Sequence, residues 1–577
     1  MTNKKFSALM RNCKKDTSGM VSYKMAVLGT CATQHLAAAL KGYAYEEKIA
    51  LTVFDADYNQ LDAQLMDQGS ELYEFQPEFV LIYMCSEKLY DSFCEVEQEK
   101  KRSFADEVME QIRRYWALLN QHSKANILQF NFVQVYENIF GNYANKAEES
   151  FSYQIRKLNY LMMQECGQVK NAFIVDLEAL QGRYGRQQVY DAKLYTIAKM
   201  PIATGLLPEA AKQVIDVVNA INGKVKKCIV LDLDNTLWGG VIGDDGIEKI
   251  QIGELGEGQA FTYFQKWLKE LKRRGMILAV CSKNNEETAR QPFLQHPEMV
   301  LTLDDISMFV ANWEDKAGNI KRIQETLNIG MDSMVFVDDN EFERNLVKSM
   351  IPEITVPDLP ADSSLYVDYL KELNLFETAS YSEADGDRTK QYQEEIGRKS
   401  LQQQFDSYEE FLDSLEMIAQ AKPFDTFHYA RIAQLSQRSN QFNLRTIRYT
   451  EAEVEELSKD EKHITFYFTL KDKFGDHGLI SIVVLDKLSS DKLFISQWLM
   501  SCRVLKRGME EFVIDTIMNK AKEMGFKMVE GEYIKTPKNA MVADLYEKMG
   551  FEKVGEGHFL AEVSGYVNQK TYIYQEE

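Results

Sequence analysis

The sequence contains no uninterrupted apolar stretch of about 18 residues, the length that a membrane-spanning helix requires. Its first 15 residues, MTNKKFSALMRNCKK, carry charge throughout and lack the apolar core of a secretory signal. These two absences exclude a helical membrane protein, and they predict that no part of the chain inserts into a membrane. We therefore expect a soluble protein of the cytoplasm.

Closely spaced cysteines are also missing. The 577-residue chain has eight cysteines, but no C-x-x-C pair and none of the cysteine density of small secreted domains. This pattern excludes a zinc ribbon and a disulfide scaffold. We expect all eight residues to be reduced thiols.

Positive charge is scarce, because 67 Lys and Arg residues stand against 88 Asp and Glu residues, a formal net charge of −21. Most of such a surface repels the phosphate backbone of nucleic acids, so we predict no nucleic-acid partner. A local basic cluster, KELKRR at 269–274, is typical of a solvated helix face, although it could hold a small anion.

The chain does contain a series of short apolar runs separated by stretches of helix length. Between residues 25 and 339 these runs are MAVLGT, FVLIYM, NILQFNF, FIVDL, CIVLDLD, MILAVCS and MVFVDD. Such alternation is typical of parallel βαβ units and predicts two consecutive α/β domains. After an acidic, polar stretch at 376–395, the runs HITFYFTL, GLISIVVL and KLFISQWLMS predict antiparallel strands of an α+β domain. The predicted segments are 1–222, 223–375, a linker with helices at 376–420, and 421–577.

Acidic residues cluster where two of the apolar runs end. In VLDLDNTLWGGVIGDDG (230–246), Asp232 and Asp234 alternate along a predicted strand and so share one face at its carboxyl end. Two carboxylates this close repel each other unless a cation lies between them, which predicts a divalent metal with oxygen ligands, best satisfied by Mg²⁺. A second pair, Asp338 and Asp339, ends the run VFVDD.

The motif D-L-D-N-T, then a strand-terminal Ser282, then Lys316, then D-D resembles the haloacid-dehalogenase (HAD) phosphotransferase superfamily. The resemblance implies a Rossmann-like domain in which Asp232 is the nucleophile that forms an aspartyl-phosphate. Asp234 would protonate the leaving oxygen and later activate water. The alternative is that these aspartates only cap strands and turns. This alternative could explain either pair alone, but it does not explain the whole ordered set.

The same resemblance implies how phosphate and metal are bound. The implied phosphate-binding residues are Thr236, Ser282 and Lys316. The implied metal ligands are Asp232, Asp234 through its backbone carbonyl, Asp338 and Asp339. The intervals between these motifs leave room for connecting helices but not for a large cap domain.

The first domain opens with KMAVLGTCATQHL, in which Cys31 follows a strand and precedes a predicted helix. A helix N-terminus stabilises a thiolate, so Cys31 is a candidate nucleophile. The segment resembles SGNH-type hydrolases of flavodoxin-like α/β fold, with Cys in the position of Ser. The domain has only His35 and His122 and no D-x-x-H near its end, so the usual base is missing, and we expect Cys31 to hold an acyl group as a thioester. The open alternative is an inert core cysteine.

The last domain contains SQWLMSCRVLKRGMEEFVIDTIMNKAKEMGF and TPKNAMVADLYEKMGFEKV, which resemble the GNAT acyltransferase fold. That resemblance implies a coenzyme A pyrophosphate held by backbone N–H groups at a strand–helix junction. In this chain Lys506 replaces the first glycine of the junction, so a phosphopantetheine arm gripped by arginine and lysine is the alternative ligand, and a docking domain is the other alternative. The candidate residues are Arg503, Lys506, Arg507, Gly508, Asn539 and Tyr546.

The three-part order, together with LDLDNTLWGGVIGDDG and QRSNQFNLRT (437–446), resembles FkbH-like proteins over nearly the whole chain. The resemblance implies an enzyme that takes a glyceryl unit from 1,3-bisphosphoglycerate, removes phosphate and loads the acyl group onto an acyl carrier protein. A thiolate at Cys31 could attack the acyl phosphate, and the site at Asp232 could remove the remaining phosphate. Docking of an acidic carrier would need a basic surface, for which Arg503, Lys506 and Arg507 are candidates.

Two other functions stay open. One is a stand-alone Mg²⁺-dependent phosphatase that acts on a sugar or small-acid phosphate in surface-polysaccharide biosynthesis. The other is a scaffold whose degenerate outer domains bind partners. Phosphate release that is indifferent to Cys31 and to a carrier favours the first, and phosphate release that depends on Asp232 excludes the second.

Overall fold

The computed structural model describes residues 4–381, 388–402, 404–405 and 407–576. It has a mixed α/β architecture with parallel sheets, which confirms the fold class predicted from the apolar runs at that level. The chain divides into two compact units, Met1–Asn219 and Ala220–Glu577. The four predicted segments stay a prediction, and residues 382–387, 403 and 406 of the predicted linker lie outside the described part. None of the helices in that part has the length and apolar character needed to cross a membrane.

The first unit is built on a sheet of five parallel strands in the order β2-β1-β3-β4-β5. Its strands are β1 (Val21–Gly29), β2 (Ile49–Asp55), β3 (Phe79–Tyr83), β4 (Asn126–Phe130) and β5 (Ala172–Val175). The helices are α1 (Phe6–Asn12), α2 (Gln34–Glu46), α3 (Leu61–Met66), α4 (Glu71–Phe75), α5 (Ser86–Glu95), α6 (Phe104–His122), α7 (Phe151–Cys166), α8 (Leu177–Tyr184), α9 (Arg186–Val189), α10 (Ala192–Ala198) and α11 (Leu207–Ile221).

The central strands of this sheet are covered on both faces, which is why their sequences are almost wholly apolar. All five residues of β3 and the last five of β1 are buried. In the parallel register Gly29 lies opposite Tyr83. The loops that follow β1 and β3 therefore leave the sheet side by side at its carboxyl edge, where open α/β sheets bind ligands.

The second unit begins with a four-stranded parallel sheet in the order β8-β7-β6-β9. Its strands are β6 (Cys228–Leu231), β7 (Ile277–Ser282), β8 (Met308–Ala311) and β9 (Met334–Val337). The helices are α12 (Ile242–Asp245), α13 (Gly258–Arg273), α14 (Glu286–Gln295), α15 (Lys316–Leu327), α16 (Glu341–Met350), α17 (Tyr366–Leu373) and α18 (Arg388–Gln402). Leu231 lies opposite both Val280 and Val337, so the residues that follow β6, β7 and β9 meet at one edge.

The rest of this unit is an eight-stranded mixed sheet in the order β15-β16-β14-β13-β12-β11-β10-β17. Its strands are β10 (Met417–Lys422), β11 (His463–Asp472), β12 (Gly475–Lys487), β13 (Lys492–Met500), β14 (Met528–Glu532), β15 (Glu552–Gly555), β16 (His558–Glu562) and β17 (Ile573–Gln575). The helices are α19 (Tyr408–Ser414), α20 (Tyr429–Arg438), α21 (Glu451–Lys459), α22 (Met509–Glu523) and α23 (Leu545–Lys548). The neighbours β13 and β14 are parallel, whereas β10 to β13 are successive antiparallel neighbours.

Candidate functional site

Three carboxylates meet at the carboxyl edge of the four-stranded sheet. Asp232 follows β6, and Asp338 and Asp339 follow β9, so the register of the two strands brings them together. One carboxylate oxygen of each lies within 4.8 Å of the others. Asp232 and Asp338 are buried, and Asp339 is half-buried. We call these three residues the carboxylate site.

Alternation along a strand predicts that Asp232 and Asp234 share one strand face. The structure differs, because neither residue lies in a strand. The strand β6 ends at Leu231, and the chain then turns, with Asn235 in a left-handed conformation (φ 54°). The turn, and not alternation along a strand, therefore positions the carboxyl group of Asp234, which is not one of the three carboxylates that meet. The strand prediction fails here because the apolar run CIVLDLD continues for three residues beyond the last paired one.

Lys316 supplies the positive charge that lets these carboxylates be buried. It is the first residue of α15, and its Nζ lies 3.0 Å from Oδ1 of Asp232 and 2.5 Å from Oδ2 of Asp338. Burial acts to lower the pKa of Lys316, but the two carboxylates outweigh it and raise the pKa above its ordinary value. The ammonium group therefore stays charged, and it links the ends of β6 and β9.

The carboxylate site still carries more negative charge than one ammonium group offsets. Burial, with a further contribution from Asp232, raises the pKa of Asp338 to about 7, and the same two causes raise the pKa of Asp339. A second cation would lower both pKa values. Three carboxylate oxygens within reach of one point are the ligand type that hard divalent cations prefer, so the residues fit a metal such as Mg²⁺.

Asp234 lies beside the carboxylate site and is oriented by three hydrogen bonds. Its Oδ1 accepts from Nε1 of Trp238 at 2.9 Å and from the backbone N of Ile242 at 3.0 Å, and its Oδ2 accepts from Nδ2 of Asn284 at 3.2 Å. These donors favour the carboxylate, but burial dominates and Asp232 adds to it, so the pKa of Asp234 is raised. Asp234 is thus a carboxyl group of fixed orientation that holds a proton more readily than an exposed one.

The other predicted phosphate-binding residues reach the same edge. Thr236 is buried, its Oγ1 lies 3.4 Å from Oδ1 of Asp339, and it accepts from the backbone N of Asp339 at 3.2 Å. Ser282 is buried at the last position of β7. The sequence reasoning did not single out Asn284, although the signal was present: it lies two residues beyond Ser282 in CSKN, the spacing that repeats a position along an extended chain.

Cys31 lies at the carboxyl edge of the five-stranded sheet, but in surroundings that differ from the predicted ones. It is 2% exposed, and the next residue, Ala32, donates its backbone N–H to the carbonyl of Lys199, just beyond α10. Burial raises the pKa of the Cys31 thiol well above its ordinary value. The predicted thiolate is not favoured because α2 begins only at Gln34, and desolvation outweighs the helix dipole at this distance.

A second cysteine, which the sequence reasoning did not single out, accompanies Cys31. Cys85 precedes α5 as its N-cap residue, and its backbone N donates to Oγ1 of Thr30 at 3.1 Å. The interaction with the Cys31 thiol lowers the pKa of Cys85, although burial opposes the change. The strand ending FVLIYMC, which parallels MAVLGTC, is the signal that could have identified it.

Both histidines of this unit pack against aromatic rings. The ring of His35 packs 5.3 Å from that of Phe6, and the ring of His122 packs 5.5 Å from that of Tyr73. The buried Glu87, whose Oε1 lies 3.4 Å from Nη1 of Arg186, acts electrostatically on Cys31 instead and raises its pKa further.

Two of the six predicted cofactor residues of the last domain are engaged in contacts within the protein. Asn539 is fully buried, and its Nδ2 donates to the carbonyls of Asn443 and Ile534, each at 2.9 Å. Tyr546 is also buried, with ring centroids 5.2 Å from those of Phe551 and Phe559. Both side chains are therefore engaged in packing.

The junction before α22 contains the other four. Lys506 is exposed with φ 62°, and Gly508 is the N-cap residue with φ 84°. Arg507 is buried, and its Nη1 lies 3.1 Å from Nε2 of His477, a histidine whose pKa burial lowers to about 4. Arg503 is half-buried and donates from Nε to Oγ of Ser501 at 3.3 Å.

Comparisons with known proteins match different parts of the chain to different degrees. Residues 24–219 match the family described as FkbH, N-terminal domain. The crystal structure of the N-terminal part of protein BF1531 from Bacteroides fragilis, which contains a phosphatase domain and is complexed with Mg, is 46% identical to this chain. That match covers 65% of this chain and 100% of the Bacteroides fragilis chain, with a TM-score of 0.63.

Acetyltransferases of known structure match a smaller part. The ribosomal-protein-S18-alanine N-acetyltransferase from Escherichia coli is 12% identical over 26% of this chain and 99% of its own, with a TM-score of 0.21. Mutant forms of the spermidine/spermine N-acetyltransferase SpeG from Vibrio cholerae are 16% identical over 26% of this chain and 96% of their own, with a TM-score of 0.21. No curated protein matches the chain.

Proposed function

The chain belongs to the FkbH-like family, and from this premise we propose that it is a Mg²⁺-dependent phosphatase of the HAD type coupled to acyl transfer. The observation that carries the proposal is the meeting of Asp232, Asp338, Asp339 and Lys316 at one sheet edge, with Asp234 beside them. The Mg complex of the Bacteroides fragilis relative supports the choice of metal. Asp232, Asp338 and Asp339 would hold Mg²⁺, which would offset the repulsion between the carboxylates and a phosphate group.

The residues of the chain support hydrolysis of a phosphate ester in two displacements. An oxygen of Asp232 attacks phosphorus, the ester P–O bond breaks, and the leaving oxygen takes the proton of Asp234. The raised pKa of Asp234 favours the protonated form that this step needs. Water then attacks the phosphorus of the aspartyl-phosphate, the carboxylate of Asp234 takes its proton, and phosphate leaves. Thr236, Ser282 and Lys316 hold the phosphoryl oxygens throughout.

We assign the acyl transfer to the SGNH-like first domain and the GNAT-like last domain. The thiolate of Cys31 attacks the acyl carbon of 1,3-bisphosphoglycerate, the bond from that carbon to the phosphate oxygen breaks, and inorganic phosphate leaves, which gives a 3-phosphoglyceryl thioester. The carboxylate site removes the remaining phosphate. The thiol of a phosphopantetheine arm then accepts the glyceryl group by thioester exchange, and the carrier protein docks against Arg503, Lys506 and Arg507.

Intact-protein mass spectrometry tests this assignment. Wild type, Cys31→Ala and the matched control Cys94→Ala, whose cysteine is exposed, are incubated with Mg²⁺ and enzymatically generated 1,3-bisphosphoglycerate, with and without a phosphopantetheinylated carrier. We expect a glyceryl adduct on wild type and on Cys94→Ala that passes to the carrier, and none on Cys31→Ala. An adduct of equal yield on Cys31→Ala contradicts the role of Cys31.

A stand-alone phosphatase is the second candidate, and the burial and raised pKa of Cys31 favour it. In this case a sugar or small-acid phosphate is the substrate, and no acyl adduct forms on enzyme or carrier. Phosphate release that is equal in wild type and Cys31→Ala, and indifferent to carrier, distinguishes this function from coupled transfer. A scaffold is excluded if Asp232→Asn abolishes phosphate release while its thermal midpoint is unchanged.

A further inference from the structure

A buried arginine supports the loop that carries two of the three carboxylates of the carboxylate site. Arg344 is the fourth residue of α16. A helical side chain points back towards the N-terminus of its helix, so that of Arg344 reaches the residues that precede α16. Its Nη1 donates to the carbonyl of Asp338 at 2.9 Å and also to the carbonyl of Asp339. The guanidinium group therefore binds the backbone of both residues.

Stability alone gives a poor account of an arginine in this place. Asp358, an exposed carboxylate, lies 3.8 Å from Nε of Arg344, which is too far for a hydrogen bond. The buried Nε makes no hydrogen bond with any residue that the structure describes. A buried charge with incomplete pairing is less stable than a well-packed apolar side chain of the same size. The arginine is better explained by its effect on the two carbonyls.

Asp339 depends on this support more than Asp338 does. The carboxylate of Asp338 is anchored separately, since its Oδ1 accepts from the backbone N of Asn340 at 2.8 Å. The backbone N of Asp339 donates to Oγ1 of Thr236, and its carbonyl accepts from Arg344. Without Arg344 the peptide group that follows Asp339 can rotate, and the carboxylate moves with it. A metal ligand that has to be ordered on binding holds a cation less tightly.

A tyrosine supports the loop after β6 in the same way. Tyr366 is the first residue of α17, it is buried, and its Oη donates to the carbonyl of Asn235 at 3.2 Å. Its ring packs edge-on against those of Phe261 and Phe264, which fixes the direction of the hydroxyl. Burial raises the pKa of Tyr366 to about 12, so the phenol keeps the proton that it donates. The left-handed turn that follows Asp234 is thereby held.

The two supporting side chains act on neighbouring parts of one site. Beyond the effect of burial, Asp339 raises the pKa of Tyr366 and Arg344 lowers it, so the three groups lie within electrostatic reach of one another. Arg344 and Tyr366 bind backbone carbonyls, and the backbone in turn carries the acidic side chains. We call these two residues the carbonyl-binding pair.

We propose that Arg344 and Tyr366 are positioning residues that hold the loops after β6 and β9 in the geometry that binds Mg²⁺. Their effect passes through the backbone carbonyls of residues 235, 338 and 339. The inference rests on the part of the proposed function that assigns Mg²⁺ to the carboxylate site. Groups that orient metal ligands in this way typically change metal affinity by about 10-fold to 100-fold when they are removed.

Isothermal titration calorimetry of the full chain with Mg²⁺ tests the proposal. Arg344→Met leaves both carbonyls without their donor and should weaken binding by about 10-fold to 100-fold. Arg344→Lys keeps one donor and should weaken it less. Tyr366→Phe removes only the hydroxyl, so we expect a weakening of about threefold. The matched control is Val347→Ala, which removes buried packing from the same helix. It should lower the thermal midpoint and leave the Kd for Mg²⁺ within about twofold of the wild-type value.

The outcomes separate this proposal from the proposed function. The proposal is overturned if Arg344→Met and Tyr366→Phe both bind Mg²⁺ as wild type does, and Arg344→Lys and Tyr366→Phe decide it if Arg344→Met does not fold. It is also overturned if Val347→Ala weakens binding as much as Arg344→Met, because the loss then follows stability. A wild-type Kd for Mg²⁺ above about 10 mM contradicts this proposal together with the proposed metal. Phosphate release from p-nitrophenyl phosphate that survives in Asp232→Asn contradicts the proposed function alone.

Discussion

The carboxylate site and the cysteine pair occupy equivalent places in two parallel sheets, each beyond the ends of two neighbouring strands. In both, ionisable groups are buried, which disfavours their charged forms. At the carboxylate site Lys316 lies 3.0 Å from Asp232 and within reach of Asp338, so a cation compensates part of the buried negative charge. Around Cys31, burial is reinforced by Cys85 and Glu87, which both raise the pKa of the thiol further, so the thiol is held protonated.

The comparison shows that the position at the sheet edge does not by itself activate a group. A buried carboxylate is available as a nucleophile where the fold provides a cation for it. A buried thiol without such a cation needs a change in its surroundings before it can react as a thiolate. In the proposed reaction, the binding of an acyl phosphate and any accompanying movement near α10 would have to provide that change.

The largest effect is expected from the nucleophile. Asp232→Asn should lower phosphate release from p-nitrophenyl phosphate in Mg²⁺ by at least about 10³-fold, because an amide oxygen cannot form the aspartyl-phosphate. The matched control is Asp244→Asn, an exposed carboxylate in the same segment, and it should retain wild-type activity. Substantial phosphate release by Asp232→Asn, with an unchanged thermal midpoint, would contradict the role of Asp232 as the nucleophile.

Removal of the compensating cation should leave the carboxylate site, like the cysteine pair, with buried ionisable groups and no cation to stabilise their charged forms. Lys316→Met leaves two buried carboxylates without their ion pair, which should lower the free energy of unfolding by about 3–5 kcal/mol. Lys321→Met, on the exposed face of the same helix, should change it by less than about 0.5 kcal/mol. Urea denaturation provides the measurement.

The pH dependence of that loss has a definite sign. The native pKa of Asp338 is about 7 and lies above that of an unfolded Asp, and it rises further when Lys316 is gone. A carboxyl group with a raised native pKa costs stability at any pH above its unfolded pKa, and the cost grows as pH rises towards the native pKa. The deficit of Lys316→Met should therefore be larger at pH 8 than at pH 5. An equal deficit at both pH values contradicts the ion-pair explanation.

Alkylation tests whether the thiol of Cys31 is held buried and protonated. Cys31 is buried with a raised pKa, and Cys94 is exposed, so iodoacetamide at pH 7.5 should modify Cys31 at least about 100-fold more slowly than Cys94 in the native protein. Peptide mass spectrometry after timed labelling measures both rates in one sample. Unfolding in urea should bring the rates together, and equal rates in the native protein would show that Cys31 is already accessible and ionised.

The sequence predicts the two sheet edges better than it predicts the chemistry there. Apolar runs mark the strands, and residues after a parallel strand collect at one edge, so Asp232, Asp338 and Ser282 could be brought together from spacing alone. The state of Cys31 could not, because it depends on burial beneath a chain segment near residue 199. The predicted strand ran too far, to Asp234, because an apolar run does not reveal where strand pairing stops.

The smallest predicted effect concerns the orientation of Asp234. Asn284→Ala removes one donor to its carboxylate, so phosphate release should fall by about fivefold through looser positioning. Because that donor favours the charged form, its loss raises the pKa of Asp234, which stays protonated to higher pH, and the alkaline limb of kcat/KM should move to higher pH. The side chain of the neighbour Asn285 instead caps α14, where its Oδ1 accepts from the backbone N of Thr288 at 3.2 Å, so Asn285→Ala should leave the limb in place. A limb that moves to lower pH in Asn284→Ala would mean that Asp234 is not the acid whose protonation the limb reports.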